Sequence, residues 1–285
     1  MKTKITISFL VILLANLCFA QSYKIIYELQ WKPDSKADKT ETELTTLLTT
    51  KDGVSYFESY DLFRADSTKT KAILDMRKRD DGQLRFPTMK DDSKFRELVV
   101  KDFKNKKFLT ERKFYNKAFS IDYNCPMKWK ISDEKSKLFG YNIQKAELNF
   151  GGRSWTAWFT NEIPIADGPY KFYGLPGLIL KISDKTNDYK FEIVGITKEE
   201  NNISERHFGD GSPAKVNLTQ WDKFWKEYKK QPSMILANLN TAQTTYVIDG
   251  KDVNDKDVKA SFDKKEKALM AYFENNPIEL NSTCQ

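Results

Sequence analysis

The sequence predicts an α+β fold, in which a mainly antiparallel, curved β-sheet that could curl into a half-barrel packs against two or three helices near the C-terminal half. Three observations predict it. Apolar and polar residues alternate in many short segments, as in strands with one buried face. Two-residue turns such as Asp52-Gly53 and Gly151-Gly152 join several of these segments. Aromatic stripes with helical spacing are strongest after residue 218.

The first half of the chain consists mainly of strand segments, with one helix-like surface segment at residues 67–78. Apolar side chains alternate with polar ones over residues 23–31, which predicts a half-buried first strand. Two hairpins are predicted after it, residues 44–50 with 54–60 across Asp52-Gly53, and residues 94–103 with 107–115 around Asn105.

The hairpin of residues 141–150 and 153–160 is the best specified. Its two-residue loop, Gly151-Gly152, sets Phe150 opposite Arg153 and therefore fixes the register of the whole pair. In this register the apolar side chains share one face, and they are Phe150, Leu148, Ala146, Trp155, Ala157 and Phe159.

The remaining elements are one more hairpin and two helices. Residues 178–183 and 189–197 predict the hairpin. Thr219 and Asp222 have the spacing of a capping box, which predicts the start of a helix that Pro232 ends. A final helix is predicted over residues 257–274. The apolar stripe of the earlier helix consists of Trp221, Phe224, Trp225 and Tyr228.

The N-terminus is typical of a secretory signal peptide. Lys2 and Lys4 precede a mainly apolar stretch, and cleavage after Ala20 fits the small residues there. The apolar stretch is too short for a comfortable membrane span. We therefore predict a signal peptide over residues 1–20, a single domain over residues 21–285, and export to the periplasm or cell envelope, with secretion as an alternative and without a transmembrane anchor in the mature chain.

The charge pattern argues for an ordinary solvated surface. The formal net charge of the 285-residue chain is +7, and basic and acidic residues are interspersed along it. Export argues against nucleic acid as a partner. The expected partners are an outer-membrane or transport-complex protein, or an apolar ligand.

Two cysteines, Cys125 and Cys284, remain after the predicted cleavage, in a compartment that permits disulfides. A bond between them would close a long loop and stabilise the fold by about 5 kcal/mol in the chain-entropy model. The alternative is two unpaired thiols. The sequence leaves both open.

The residues that many enzymes use are scarce. His207 is the single histidine, so a serine nucleophile would lack its usual base and a transition metal its usual ligands. We predict no cofactor, no metal site and no catalytic residue. One alternative stays open. Glu162 and Asp167 could share a cleft as the acid and base of a hydrolase, although Asp167 before Gly168 also fits an ordinary turn.

The segment of residues 168–177 is the most informative part of the chain. Two Gly/Pro turns enclose an aromatic strand, and Pro176-Gly177 suits the centre of a type II turn. Such a segment is either a corner that redirects the chain or a rigid rim that binds a sugar, a peptide or a partner protein. The residues predicted to bind are Trp158, Tyr170, Phe172, Tyr173, Gly174, Leu175, Pro176 and Gly177.

The run Gly-Leu-Pro-Gly-Leu-Ile at residues 174–179 resembles the signature of the GLPGLI family of exported Bacteroidota proteins. The resemblance extends to residues 137–146, 157–170 and 276–280. No biochemical function is settled for that family. The resemblance implies export from a Bacteroidota cell and an association with outer-membrane transport systems, and it implies no catalytic residues.

Three functions are compatible with the sequence. The first is a non-enzymatic envelope protein that binds a partner or an apolar ligand, as a half-barrel carrier whose inner face is plugged by the late helices. The second is a hydrolase that uses Glu162 and Asp167. The third is a purely structural accessory of a transport complex.

Overall fold

The computed structural model describes residues 21–79, 93–114, 117–199, 212–236, 246–248, 251–253 and 255–281. Within these residues a 12-stranded sheet forms most of the fold. Its strands are β1 (Ser22–Trp31), β2 (Glu41–Thr49), β3 (Val54–Ser59), β4 (Glu97–Asp102), β5 (Lys107–Phe114), β6 (Lys117–Asp122), β7 (Lys130–Leu138), β8 (Tyr141–Phe150), β9 (Arg153–Thr160), β10 (Leu178–Asp184), β11 (Tyr189–Glu199) and β12 (Ala214–Val216). The other described elements are a small hairpin of β13 (Tyr246–Ile248) and β14 (Lys251–Val253), a 3₁₀ helix (Pro232–Leu236), and the helices α1 (Tyr60–Arg79), α2 (Leu218–Lys230) and α3 (Asp255–Glu274).

The strand order in the sheet is β12-β6-β5-β4-β3-β2-β1-β11-β10-β9-β8-β7. Neighbouring strands are antiparallel, apart from β12, which lies parallel to β6. Most connections are short hairpins, because turn residues such as Asp52-Gly53 interrupt the apolar alternation at regular intervals. The predicted α+β class with a mainly antiparallel sheet is confirmed.

The register predicted for the β8–β9 hairpin is also confirmed. Phe150 lies opposite Arg153, and Leu148 lies opposite Trp155. Gly151 and Gly152 have φ angles of 60° and 77°, the left-handed values that a two-residue turn of this kind requires at both central positions. The apolar face that this register creates is buried in the main core.

One face of the sheet, called here the inner face, carries the main core. On β1 to β6 it presents two polar rows of cross-strand neighbours that flank a mainly apolar row. The first polar row is Tyr27, Thr45, Ser59, Glu97, Arg112 and Phe119. The apolar row is Ile25, Leu47, Phe57, Val99, Thr110 and Ile121, and the second polar row includes Thr49, Ser55, Lys101 and Phe108.

The 168–177 segment covers this inner face. Phe172 packs against Trp155 with ring centroids 4.7 Å apart, and Tyr170 packs edge-on against Phe95 at 6.2 Å. The hydroxyl of Tyr27 donates a hydrogen bond of 2.8 Å to the carbonyl of Ile179, just beyond the segment. The late helices were expected to plug this face. Over the main core the segment takes that place, because its Gly/Pro turns fold the chain back over the sheet directly after β9. The helix of residues 218–230 covers the inner face only at β5 and β6, where it contacts Phe114, Arg112 and Phe119.

The helices pack on both faces of the sheet. On the opposite face of the sheet, Leu62 and Phe63 of α1 pack against Leu48, Tyr56 and Leu98. The late helices form a separate aromatic cluster with the end of β5 and with β6, in which Phe114 contacts Tyr228 at 4.8 Å between ring centroids. No helix in the described part of the chain combines the length and the apolar composition needed to cross a membrane.

The start of α2 differs from the prediction. The capping box is formed by Asn217 and Gln220, each side chain bonded to the backbone of the other, rather than by Thr219 and Asp222. The two boxes have the same spacing, so the sequence pattern alone does not separate them. Asn217 becomes the cap because its backbone is extended, with φ of −82° and ψ of 168°, directly before the first helical residue.

Candidate functional site

Lys101 fixes the path of the 168–177 segment. Its ammonium is fully buried on the inner face and forms an ion pair with Asp167. It also donates hydrogen bonds to the carbonyls of Gly168, Tyr170 and Phe172, at 2.7, 3.0 and 3.4 Å. Burial lowers the pKa of Lys101, and the charge of Asp167 opposes that shift. The ammonium has three N–H donors for these four acceptors, so beside Asp167 it pairs mainly with the two nearer carbonyls, those of Gly168 and Tyr170.

The residues predicted to bind occupy two environments. Tyr170, Phe172, Leu175 and Gly177 are buried within the core. The aromatic members among them thus contribute packing area, whatever else they do. Trp158 and Tyr173 are half-buried, and Gly174 and Pro176 are exposed. The half-buried Tyr173 stacks on Phe108 with ring centroids 4.5 Å apart. Ligand binding by these eight residues stays a prediction.

The two carboxylates of the alternative hydrolase have separate surroundings. Glu162 is exposed and accepts hydrogen bonds of 2.8 and 2.9 Å from the backbone and side chain of Asn142. Asp167 is buried against Lys101, and its Oδ1 also accepts a bond of 2.7 Å from the backbone of Gly168. This last bond is the turn-capping role that the sequence offered as the alternative.

A cluster of charged and phenolic side chains lies where the first polar row meets the 168–177 segment. We call it the Arg112 cluster. It is centred on an ion pair between Arg112 of β5 and Glu97 of β4, which are cross-strand neighbours. The Arg112 side chain is 31% exposed and that of Glu97 is 13% exposed, so solvent reaches this ion pair. The members are Glu97, Arg112, Tyr123, Tyr170, Lys171 and Glu279.

Glu279 and Lys171 form the second ion pair of the cluster. Lys171 Nζ lies 2.6 Å from Glu279 Oε1, and the hydroxyl of Tyr170 donates to the same oxygen. The ammonium also sits 4.9 and 5.2 Å from the ring centres of Tyr123 and Tyr170, within the range of cation–π attraction. With two cations and two carboxylates, the cluster is electrically neutral.

Two tryptophans of α2 border the cluster. The guanidinium of Arg112 lies 5.3 Å from the ring centre of Trp221 and 5.9 Å from that of Trp225. The two indoles stack 5.7 Å apart, at an angle of 13°. Burial alone would lower the pKa of Arg112, but Glu97 and, more weakly, Tyr170 and Glu279 outweigh it and raise that pKa, so the guanidinium stays charged.

Three polar atoms of the cluster are buried without a hydrogen-bond partner among the described residues. They are Glu97 Oε2, Arg112 Nε and the hydroxyl oxygen of Tyr123. Most buried polar atoms in folded proteins are paired, so each of these three requires an explanation. They comprise one acceptor, one donor and one hydroxyl that can act as either.

The phenols of the inner face make the fold sensitive to alkali. Burial, followed by nearby carboxylates, raises the pKa values of Tyr27, Tyr123 and Tyr170 well above their ordinary value of 10.0. Above about pH 10 the unfolded chain therefore loses protons that the folded chain keeps, so stability falls as the pH rises. The lowered pKa of Lys101 has the opposite effect, because it makes stability rise with pH. This rise ends at about pH 10.5, where the lysine of the unfolded chain also loses its proton.

We expect Tyr27→Phe to make the alkaline loss of stability shallower. Removing one phenol removes one proton from the difference in bound protons between the folded and the unfolded chain. The slope of the unfolding free energy against pH should then be shallower by about 1.4 kcal/mol per pH unit. Urea unfolding between about pH 10 and 11.5 measures the slope. An unchanged slope in Tyr27→Phe would contradict the assignment of that phenol to the alkaline transition.

The C-terminal tail, residues 276–281, is held against the β8–β9 turn by Arg153. The guanidinium donates to the Asn276 side chain at 2.6 Å and to the carbonyls of Pro277 and Ile278 at 2.7 and 3.1 Å. It is also paired with Asp184 at 2.9 Å. The backbone N–H of Leu280 then bonds to the carbonyl of Gly151 at 2.7 Å. These contacts place Glu279 in the Arg112 cluster.

Cys125 is disulfide-bonded. Cys284, the partner that the sequence suggests, lies outside the described residues, so the pairing stays a prediction. The hydroxyl of Tyr173 donates to the carbonyl of Cys125 at 3.0 Å, which links this cysteine to the 168–177 segment.

Sequence reasoning missed the Arg112 cluster. The hairpin around Asn105 is predicted correctly, and its register in the structure pairs Glu97 with Arg112. That pairing is a signal that the sequence carries, because opposite charges face each other across the strands. The contribution of Glu279 has no local signal, since 109 positions separate it from Tyr170.

Solved structures give a distant match. Two crystal forms of PNGF-II have 18% sequence identity and a TM-score of 0.49, over 73% of this chain. The chain spans only about a third of those proteins, 34% and 33% of their lengths. Comparison with curated proteins finds no match.

A protein-family model does match part of the chain. Its description is "Protein of unknown function (Porph_ging)", and it covers residues 152–181. This stretch contains β9, the 168–177 segment and the start of β10, together with the Gly-Leu-Pro-Gly-Leu-Ile run. The resemblance to a Bacteroidota-associated family of unknown function is therefore confirmed over residues 152–181 of this chain.

Proposed function

We propose that this chain is an exported envelope protein that binds a ligand at the Arg112 cluster and catalyses no reaction. The observation that carries the proposal is the group of three unpaired polar atoms in a neutral, partly exposed charge cluster. A ligand group that enters between Arg112 and Glu97 would supply the missing partners. The adjacent Trp221 and Trp225 would offer apolar contact to the rest of the ligand.

The Arg112 cluster does not lie where a carrier would hold an acyl chain. The apolar part of the inner face is occupied by Tyr170 and Phe172, which are 1% and 0% exposed. An acyl chain would have to displace both rings. A ligand at the Arg112 cluster would approach the partly exposed Arg112 and Glu97 and shift them to reach the three buried polar atoms, which favours recognition by polar groups over an apolar tunnel.

Native mass spectrometry tests the proposal on protein purified from its own cell envelope without reductant. We expect a mass that begins at Gln21, and an adduct that disappears on denaturation. In Arg112→Met the adduct should fall at least about tenfold, because a charged hydrogen bond contributes about 1.5–3 kcal/mol. Lys113→Met is the matched control, because Lys113 is exposed on the same strand.

Arg112→Met also leaves Glu97 without its cation. The double variant Glu97→Gln/Arg112→Met removes both charges and keeps the comparison valid if the single variant is unstable. A bare polypeptide mass would overturn the proposal, and so would an adduct that both Arg112 variants retain in full.

A further inference from the structure

The Arg112 cluster already contains a bound carboxylate, that of Glu279. Its Oε1 accepts from the hydroxyl of Tyr170 and from Lys171 Nζ, which lies 2.6 Å away. Tyr170 is 1% exposed and held by the core, so this donor is in place independently of the tail that reaches it. Lys171 is held beside it by contacts with the rings of Tyr123 and Tyr170. Two donors that converge on a single oxygen are the arrangement that binds carboxylates tightly.

Glu279 is the member of the cluster that the C-terminal tail supplies. Glu97 and Arg112 belong to interior strands of the sheet, and Tyr170 and Lys171 follow a turn that Lys101 anchors. Glu279 belongs to the tail, which has no regular secondary structure, and the next residue, Leu280, is 56% exposed. Its side chain can leave the cluster without breaking a strand.

The departure of Glu279 would change the charge of the cluster. Arg112 and Lys171 would then face Glu97 alone, leaving one uncompensated positive charge. A charged donor that is mostly buried loses far more free energy when it is unpaired than a neutral one. Any ligand that displaces the tail side chain must therefore bring an anion of its own.

We propose that the ligand of this protein carries a carboxylate, which takes the place of Glu279 between Tyr170 and Lys171. This inference rests on the proposed function and adds the chemical class of the ligand. The carboxylate has two plausible sources, an acidic side chain of a peptide and the head group of a fatty acid. Both present the same two oxygens to the same two donors.

Chemical rescue of a Glu279→Ala variant tests this inference. The substitution removes the equivalent of acetate from the site, so sodium acetate is the matched probe. We expect acetate to raise the melting temperature of Glu279→Ala by about 2–4 °C over sodium chloride at equal ionic strength, as roughly 1 kcal/mol does in a chain of this size. Acetamide, which has the same shape without the charge, should not do so.

Two controls locate the effect. The parent protein and the double variant Lys171→Met/Glu279→Ala should respond to acetate no more than to chloride. If Glu279→Ala fails to fold in chloride, folding restored by acetate is the same positive result, and failure to fold in acetate overturns the inference. Equal stabilisation by acetate and acetamide also overturns it.

The source of the carboxylate can be separated on the parent protein. Titration with N-acetylglutamate amide and with octanoate should show saturable binding of one of them that Lys171→Met weakens at least about tenfold. Binding of neither overturns the inference. If the purified protein carries an adduct but shows none of these responses, the proposed function still stands, and only the inference that the ligand carries a carboxylate is overturned.

Discussion

Gly177→Ala should prevent the protein from reaching its native fold. A Cβ atom at this position would lie 1.9 Å from the carbonyl oxygen of Thr160 and 2.7 Å from its carbonyl carbon. Those atoms are backbone at the end of β9, an interior strand of the sheet, so they cannot move aside as a flexible side chain would. The φ angle of +148° adds strain for any residue with a Cβ. We expect a loss of at least about 5 kcal/mol, a large part of the stability of an ordinary domain.

Gly174→Ala is the matched control for this substitution. Gly174 belongs to the same Gly-Leu-Pro-Gly run and also has a positive φ of +92°, but nothing lies within 4 Å of its Cβ position. Only the backbone strain remains there, about 1–2 kcal/mol. Soluble yield and urea unfolding of the two variants measure the difference. Equal losses would show that strain alone, and not the approach of β9, makes Gly177 necessary.

Lys101→Met should cost about 3–5 kcal/mol of unfolding free energy. The substitution leaves Asp167 as a buried charge without its cation, and it removes the donor of the Gly168 and Tyr170 carbonyls. Chemical denaturation at neutral pH measures the loss. Lys104→Met in the exposed turn after β4 is the control, and it should stay within about 0.5 kcal/mol of the parent.

A double variant separates the two parts of this effect. Lys101→Met/Asp167→Asn removes both charges, so it should recover part of the loss and be less destabilised than the sum of the single variants. The unpaired carbonyls of the 168–177 segment would remain. If the two losses simply added, the charges would not be coupled as their buried contact requires.

The sequence was a good guide to local structure. The register of β8 and β9 was predictable because Gly151-Gly152 leaves room for one pairing, and because a shift of one residue would turn Trp155 towards solvent. The capping residue of α2 was not, since Asn217 and Thr219 each begin a motif of the same spacing. The capping-box spacing predicts that a helix begins near these residues. The extended backbone of Asn217 identifies the residue at which it begins.

The sequence was a poorer guide to the site, for two physical reasons. The aromatic residues Tyr170 and Phe172 fit a buried corner and an exposed rim equally well, and only the sheet beneath them shows that they are covered. The Arg112 cluster depends on contacts between distant parts of the chain, as between Tyr170 and Glu279. Alternation of residue types does not encode which distant segments meet.

The tail also has a consequence for the order in which the molecule is completed. Synthesis delivers every chain from its N-terminus, so β1, at the centre of the sheet, emerges early and residues 276–281 emerge late. Until the tail docks, Arg153 has its ion pair with Asp184, but its Nε and Nη2 donors and the carbonyl of Gly151 lack the partners that the tail supplies. Glu279 then closes the cluster. A chain whose tail has not yet docked thus has its sheet but lacks Glu279 in the Arg112 cluster.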